Sequence, residues 1–208
     1  FEKSLQEALS FQLPHYSTYA LQIEPKTVFY KKHRQGLLHR PKEDDEVAMY
    51  NILKEMMAAN GIEQYEISNF AKPGFESKHN LTYWSNEYYY GFGAGASGYL
   101  PGKRISNVKP LPAYVDKALH EEKPILEIDT VGIKERMEEE MFLGLRKIKG
   151  YDERTFQRKF GQDIRSVYGK QLNELKSQDL LKDEQGVWRL TDKGMLLENR
   201  VFAEFILN

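Results

Sequence analysis

The chain has 208 residues, 40% of them apolar, with 30 Lys and Arg against 31 Asp and Glu. A net charge of −1 argues against a general affinity for nucleic acid or anionic membrane, and the absence of cysteine excludes disulfides, thiolate zinc sites and cysteine-ligated iron–sulfur clusters within these residues. No apolar run reaches the roughly 18 residues of a transmembrane helix, the polar opening FEKSLQEALS is no signal peptide, and a cytoplasmic location is expected.

The chain opens on Phe1 inside an amphipathic pattern (Leu5, Ala8, Leu9), which reads as a piece of a longer protein. HYSTYALQIE (15–24) carries β-formers in loose alternation and reads as a buried strand ended by Pro25. Residues 26–42 are basic and loop-like. Residues 44–60 read as a helix capped by Asp44 or Asp45, with Met49, Ile52, Leu53 and Met56 on one face and Gly61 as the stop. YEISNFA (65–71) is the next strand. Strand, helix, strand in this order predicts a βαβ unit, with 15–24 and 65–71 parallel and the helix on their outer side.

Residues 72–107 are rich in Gly, Tyr, Asn and Ser and show no helix of ordinary length. A loop this long inside a compact domain is usually functional. AYVDKALH is a short helix, followed by KPILEIDT as a linker. From about 133 the texture changes. Met137, Met141 and Leu145 repeat at helical spacing, and the acidic run Glu138–Glu140 reads as solvated surface. YDERTFQRKFG is a helix capped by Asp152 and stopped by Gly161. DIRSVYGKQLNELKSQ places Ile164, Val167, Tyr168, Leu172 and Leu175 on one face. LLKDEQGVWRLT predicts a hairpin within 180–190, and a last helix starts at Thr191. Three helices and a hairpin form a winged-helix-like pattern.

GFGAGASG contains a literal G-x-G-x-x-G at Gly93, Gly95 and Gly98. A dinucleotide loop needs a helix opening at its third glycine, whose amides and dipole hold the pyrophosphate. Here YLPGKRISN follows, a turn at Pro101-Gly102, and the acidic residue at the expected distance, Asp116, falls inside a helix. The better reading is a strand in which small residues let other backbone, or a flat ligand, come close.

Just upstream, HNLTYW (79–84) gathers His79, Tyr83 and Trp84, an imidazole with two flat apolar faces; in a helix His79 and Tyr83 would share one side. A lone His in a polar loop is more commonly a hydrogen-bonding or surface residue. The stretch YEISNFAKPGFESKHNLTYWSNEYYYGFGAGASG, with YSTYALQIEPKT and WRLTDKGMLLENRVFAEFI, resembles the HemN/HemW family of radical S-adenosylmethionine proteins, which comprises oxygen-independent coproporphyrinogen III oxidases and related haem chaperones. HNLTYW matches the H-N-x-x-Y-W signature of the haem-chaperone branch.

The resemblance implies an α/β chain: residues 1–108 as the C-terminal part of an incomplete (βα) radical S-adenosylmethionine barrel, 109–132 as a linker with a short helix, and 133–208 as a mainly helical, winged-helix-like C-terminal domain. It implies S-adenosylmethionine and a [4Fe–4S] cluster for the full protein, the cluster held by a C-x-x-x-C-x-x-C segment that this chain lacks. By resemblance Gln22 and Ser97 fall at S-adenosylmethionine contacts; as residues they are equally readable as hydrogen-bonded interior polar groups. Glu24, at the end of the same strand, suits either a site or a salt bridge. The function implied is haem binding, with His79, Tyr83 and Trp84 as haem contacts, and transfer to acceptor haemoproteins. The alternative is decarboxylation of coproporphyrinogen III propionates. For either porphyrin, Lys103 and Arg104 are the nearest cations in sequence.

A winged-helix DNA- or partner-binding module is the reading of another class, with Arg165, Lys170 and Lys176 outward on the 163–177 helix. Residues 133–208 hold 15 Lys and Arg against 14 Asp and Glu, too small a surplus for phosphate-dominated binding. A lid or partner-docking role suits that balance better, and no nucleic acid is expected as partner. Because the chain offers no thiolate, incubation with iron and sulfide should leave it without iron–sulfur absorption, and a 5′-deoxyadenosine assay on this chain alone should detect no product.

Overall fold

The computed structural model describes residues 1–120 and 122–207. They form two compact units, Phe1–Glu76 and Ser77–Asn208.

The first unit contains α1 (Glu2–Ser10), β1 (His15–Ser17), α2 (Val28–Arg34), α3 (Glu43–Ala59), β2 (Glu63–Glu66) and β3 (Asn69–Ala71). Helix α3 matches its predicted span. Asp45 caps it from inside, its carboxylate accepting the Lys42 amide at 3.4 Å, and four acidic residues in the first turn favour the positive end of the helix dipole. Leu53 and Met57 pack with Leu5, Leu9, Tyr16, Ile62 and Phe70 into one apolar core.

The strands differ from expectation. YEISNFA splits at Ile67-Ser68 into β2 and β3, which pair antiparallel, and β1 pairs antiparallel with β3, in the order β1-β3-β2. The predicted parallel pairing of 15–24 with 65–71 is therefore wrong at the level of the ladder: β3 lies between two strands that both run against it. The cause is the buried Glu66 carboxylate. It accepts the Ser68 amide at 2.9 Å and the Asn69 side-chain amide, closing a two-residue turn that carries no Gly or Pro to announce it. Asn69 in turn accepts from Ser17 Oγ at 2.5 Å, joining β1 to the turn. The strand expected over 15–24 ends at Ser17, and Tyr19, Leu21 and Gln22 are exposed. Within the basic segment expected as loop, α2 forms behind Thr27, whose hydroxyl accepts the Tyr30 amide at 3.1 Å.

The second unit begins with α4 (Lys78–Trp84), β4 (Ser97–Leu100), β5 (Lys103–Asn107), α5 (Leu111–Leu119) and β6 (Ile125–Thr130). The segment read as a linker is the strand β6, paired antiparallel with β5 in the order β4-β5-β6. Then follow α6 (Ile133–Gly144), β7 (Tyr151–Asp152), α7 (Glu153–Phe160), α8 (Ile164–Ser177), β8 (Leu181–Glu184), β9 (Val187–Leu190), α9 (Asp192–Leu196) and α10 (Glu198–Ala203).

Here local signals and structure agree closely. Asp152 accepts the Arg154 amide at 2.8 Å to start α7, and Gly161 ends it at φ 69°, the left-handed conformation that glycine adopts without strain. The β8–β9 hairpin turns at Gln185-Gly186 and takes β7 as a third strand beside β9. The predicted last helix starts behind Thr191 but is interrupted at Leu197 into α9 and α10. The core of this part is Met141, Leu145, Phe156, Ile164, Tyr168, Leu172, Leu175, Trp188, Val201 and Phe205, all almost wholly buried. Phe156 and Phe205 meet the Tyr168 ring edge-on at 6.0 and 5.3 Å. Truncating Phe156→Ala should destabilise this unit by about 3–5 kcal/mol, read in a denaturant titration of buried Trp188 fluorescence.

Candidate functional site

HNLTYW forms a real helix. In α4, Ser77 Oγ accepts the Asn80 amide at 3.3 Å to start it. At the other end the Asn86 amide donates to the Tyr83 carbonyl at 2.9 Å and the Glu87 amide to the Thr82 carbonyl at 3.1 Å, with Asn86 left-handed at φ 49°. This is a Schellman cap with asparagine in the glycine position.

The helix sets His79 and Tyr83 on one face, their rings edge-to-face at 4.6 Å. Tyr83 meets Tyr89 in the same manner at 4.6 Å, so three rings run in series from an exposed imidazole inward. Trp84 points elsewhere: the Arg146 guanidinium lies 4.4 Å over its ring, and its indole Nε1 is buried with no hydrogen-bond partner among the described residues.

Beside Tyr83 opens a cleft of about 490 Å³. Tyr83, Tyr89, Tyr99, Phe142 and Leu143 supply its apolar surface, and Asn86, Glu87 and Arg104 its polar groups. Arg104 stands opposite Tyr99 in the β4–β5 register, its guanidinium 5.1 Å over the Tyr99 ring, and Arg104 Nη2 pairs with Glu139 Oε1 at 2.6 Å. Burial pushes the Tyr89 and Tyr99 phenols up from their ordinary 10.

The glycine motif closes on its own protein. The backbone runs back on itself through Tyr89 and Tyr99, which exchange amide–carbonyl bonds at 2.8 and 2.9 Å. A Cβ on Gly91 would stand 2.3 Å from the Ser97 carbonyl oxygen, and one on Gly98 would stand 3.0 Å from the Gly91 nitrogen. The Gly93 amide donates to Tyr114 Oη at 3.1 Å and the Gly95 amide to the Val108 carbonyl at 2.9 Å, while Asn107 Nδ2 donates to the Gly91 and Gly93 carbonyls. Gly98 lies within β4 rather than opening a helix. These amides are spent internally, so the loop is no phosphate cradle, and the glycines admit backbone rather than a ligand.

Ser97 lies exposed on β4, and Gln22 lies exposed outside any strand in the other unit. The structure thus brings His79 and Tyr83 together with the cleft, turns Trp84 to Arg146, and leaves Gln22 and Ser97 open to solvent. Lys103 is exposed, whereas Arg104 lines the cleft. Among the described residues no three His, Asp or Glu side chains gather as a metal site, and no helix is long and apolar enough to cross a membrane.

Sequence reasoning missed the polar support beneath α4. Glu140, expected as solvated surface, is buried. Its carboxylate accepts from Lys159 Nζ at 3.0 Å and Asn86 Nδ2 at 3.4 Å. Lys159 Nζ also donates to the Ser85 carbonyl at 2.8 Å, and Lys147 Nζ to Ser85 Oγ at 3.3 Å. A signal was present: Met137, Glu140, Met141 and Gly144 fall at i, i+3, i+4, i+7 and are all buried, so Glu140 sits on the apolar stripe of α6. Glu139, its neighbour, holds Arg104. On α8, Arg165 is engaged by Glu153 at 2.7 Å and Asp183 at 2.9 Å, and Lys170 lies 3.9 Å from Glu174, which leaves no continuous positive stripe for a nucleic-acid backbone.

The family model of the HemN C-terminal domain matches residues 133–197. The chain is 47% identical over 205 residues to a Bacillus subtilis protein named haem chaperone HemW, covering 99% of this chain and 54% of that protein. The chain belongs to the HemN/HemW family. The Lactococcus lactis haem chaperone HemW is 46% identical over 207 residues, again covering 54% of that protein, so the chain spans about half the length of these curated relatives. In structure it matches Escherichia coli coproporphyrinogen III oxidase (HemN), described as a radical SAM enzyme, with a TM-score of 0.75 at 14% identity over 99% of this chain and 51% of that one. That likeness establishes the fold: the mixed α/β architecture of these helices and small sheets is the HemN one.

The buried carboxylate makes the support under α4 pH-dependent. Burial holds the Glu140 carboxyl above its ordinary 4.5, the Lys159 contact opposing that shift only in part. The native protein then keeps a proton that the unfolded chain releases, so the Glu140 contribution to stability falls as pH rises from about 4.5 through the raised native value. Denaturant titrations should show the stability of wild type relative to Glu140→Gln declining over that interval.

Proposed function

We propose that the chain is part of a haem chaperone, which binds haem and passes it to acceptor haemoproteins, with His79 as an axial ligand and Tyr83 as a flat contact. The observation that carries this is the His79–Tyr83–Tyr89 series: an exposed imidazole, capable of binding iron, held edge-on to an aromatic wall that continues into an apolar cleft. Two relatives named haem chaperone HemW share nearly half of their matched residues with this chain. Trp84 belongs to the same helix and acts through Arg146, stiffening the wall rather than stacking on the cargo. Apolar burial stabilises at about 25 cal/mol per Å², so one porphyrin face against tyrosine rings gains several kcal/mol before ordering costs.

S-adenosylmethionine and a [4Fe–4S] cluster belong to this proposal for the whole protein. The residues of this chain do not fit the cluster, because none is a cysteine. Gln22 and Ser97 are polar, solvent-accessible groups available to S-adenosylmethionine. A cytoplasmic location completes the proposal. The alternative, coproporphyrinogen III decarboxylation, finds its support in the HemN fold alone.

In a haem titration of the full protein, His79→Ala should shift the Soret band and lower affinity by about tenfold or less, since stacking and apolar burial persist without the ligand. Identical spectra and affinities for both proteins would remove His79 from the role. A full protein that binds no haem and decarboxylates coproporphyrinogen III would establish the alternative.

A further inference from the structure

The cleft beside Tyr83 has a chemistry of its own that neither the His79 reading nor the relatives assign. Its aromatic and aliphatic surface is interrupted by one guanidinium. Arg104 is the one cation among the residues that line it, and its side chain retains 40% of its exposure. The guanidinium is held over the Tyr99 ring, so its position does not depend on an ion pair alone.

Its present partner is an incomplete one. Glu139 gives Arg104 a single oxygen, Oε1 at 2.6 Å, while Glu139 Oε2 is buried with no hydrogen-bond partner among the described residues. A guanidinium is built to take a carboxylate through two parallel bonds, and a one-oxygen contact leaves that capacity unused. A buried carboxylate oxygen without a donor is costly, so the pair holds together less well than its short distance suggests.

We propose that the cleft takes a flat aromatic ligand bearing carboxylates, a porphyrin dicarboxylate, and that Arg104 exchanges Glu139 for a carboxylate of that ligand. This rests on the porphyrin reading above and adds the group that recognises the cargo's acidic edge. The half-buried Tyr83 and Tyr89 rings accept the macrocycle, while the buried Tyr99 ring backs the Arg104 guanidinium. Glu139 is the internal competitor: it keeps Arg104 neutralised and in place until a carboxylate arrives. Glu87, the remaining acid of the cleft, lies 3.7 Å from Lys159, which offsets its charge.

The test uses metal-free protoporphyrin and its dimethyl ester, titrated against the full protein in one detergent-containing buffer and followed by porphyrin fluorescence. Neither probe carries iron for His79 to bind, so the outcome is independent of the axial ligand: His79→Ala can fail in the haem titration while the result here stands, and the reverse. The dicarboxylate should bind wild type about tenfold or more tightly than the diester. Arg104→Leu should abolish that preference and Arg104→Lys should retain part of it. Glu139→Gln removes the competitor and should tighten the dicarboxylate severalfold with the diester unchanged. Equal binding of acid and ester by wild type, or weaker binding of the acid by Glu139→Gln, overturns the proposal. The ester comparison needs no variant, so it decides the matter even if a substitution at Arg104 disturbs folding.

Discussion

The ammonium group of Lys159 is the point on which the site depends. It donates to the carbonyl of Ser85 at the end of α4 and to the buried Glu140 carboxylate of α6. A seven-residue helix has no persistence in water, because nucleation costs more than so few hydrogen bonds return. Helix α4 exists because it is held at its ends: Ser77 at the start, the Asn86 cap at the finish, and behind that cap a cation from the helical domain. Removing one member of a buried ion pair typically costs about 3–5 kcal/mol, since the other charge is left in the interior. The direction of the Tyr83 ring is thus set by residues more than 50 positions away in the chain.

The same economy governs the glycine segment. Its amides and carbonyls are bound by Tyr114, Val108 and Asn107, and its glycines at 91 and 98 let two backbone stretches approach closer than any side chain would allow. What this tight return achieves is the placement of Tyr89 and Tyr99 side by side on one wall. Glycine here shapes the cleft indirectly, through the tyrosines at both ends of the return. The cleft lining is mainly aromatic with one guanidinium, which separates it from a nucleotide-binding loop built of backbone amides.

The proposed haem-carrier role requires that what is bound be released. In that proposal the exposed His79 imidazole on its short helix would offer a ligand that an acceptor can replace, whereas a fully enclosed site would hold its cargo by burial. The proposed exchange at Arg104 has the same character, an internal carboxylate standing ready to take back the guanidinium when the cargo leaves. Both features suit transfer better than retention, and both lie in the unit that carries the HemN C-terminal domain.

The amino-acid sequence by itself determined α3 and the starts and faces of the helices from α6 onward, but not α2, α4 or the break between α9 and α10. Asp152, Gly161 and Thr191 act within a few residues, and the stripe of Ile164, Tyr168, Leu172 and Leu175 needs only the helical repeat to be read. It also determined that G-x-G-x-x-G lacks the helix a dinucleotide requires, whereas the shared face of His79 and Tyr83 followed only once distant residues had fixed α4 as a helix. The tertiary structure alone decided the pairing of strands, the depth of each charge and the existence of the cleft. YEISNFA reads as one strand because its turn is made by a buried side chain, Glu66, and not by Gly or Pro. KPILEIDT reads as a linker because a strand of mostly exposed residues has no identity until β5 pairs with it. Glu139 and Glu140 look alike in an acidic run, yet one meets Arg104 of β5 and the other Lys159 of α7. Local signals act through neighbours in the chain, whereas a charge is worth what faces it, and what faces these two carboxylates is decided only when distant segments come together.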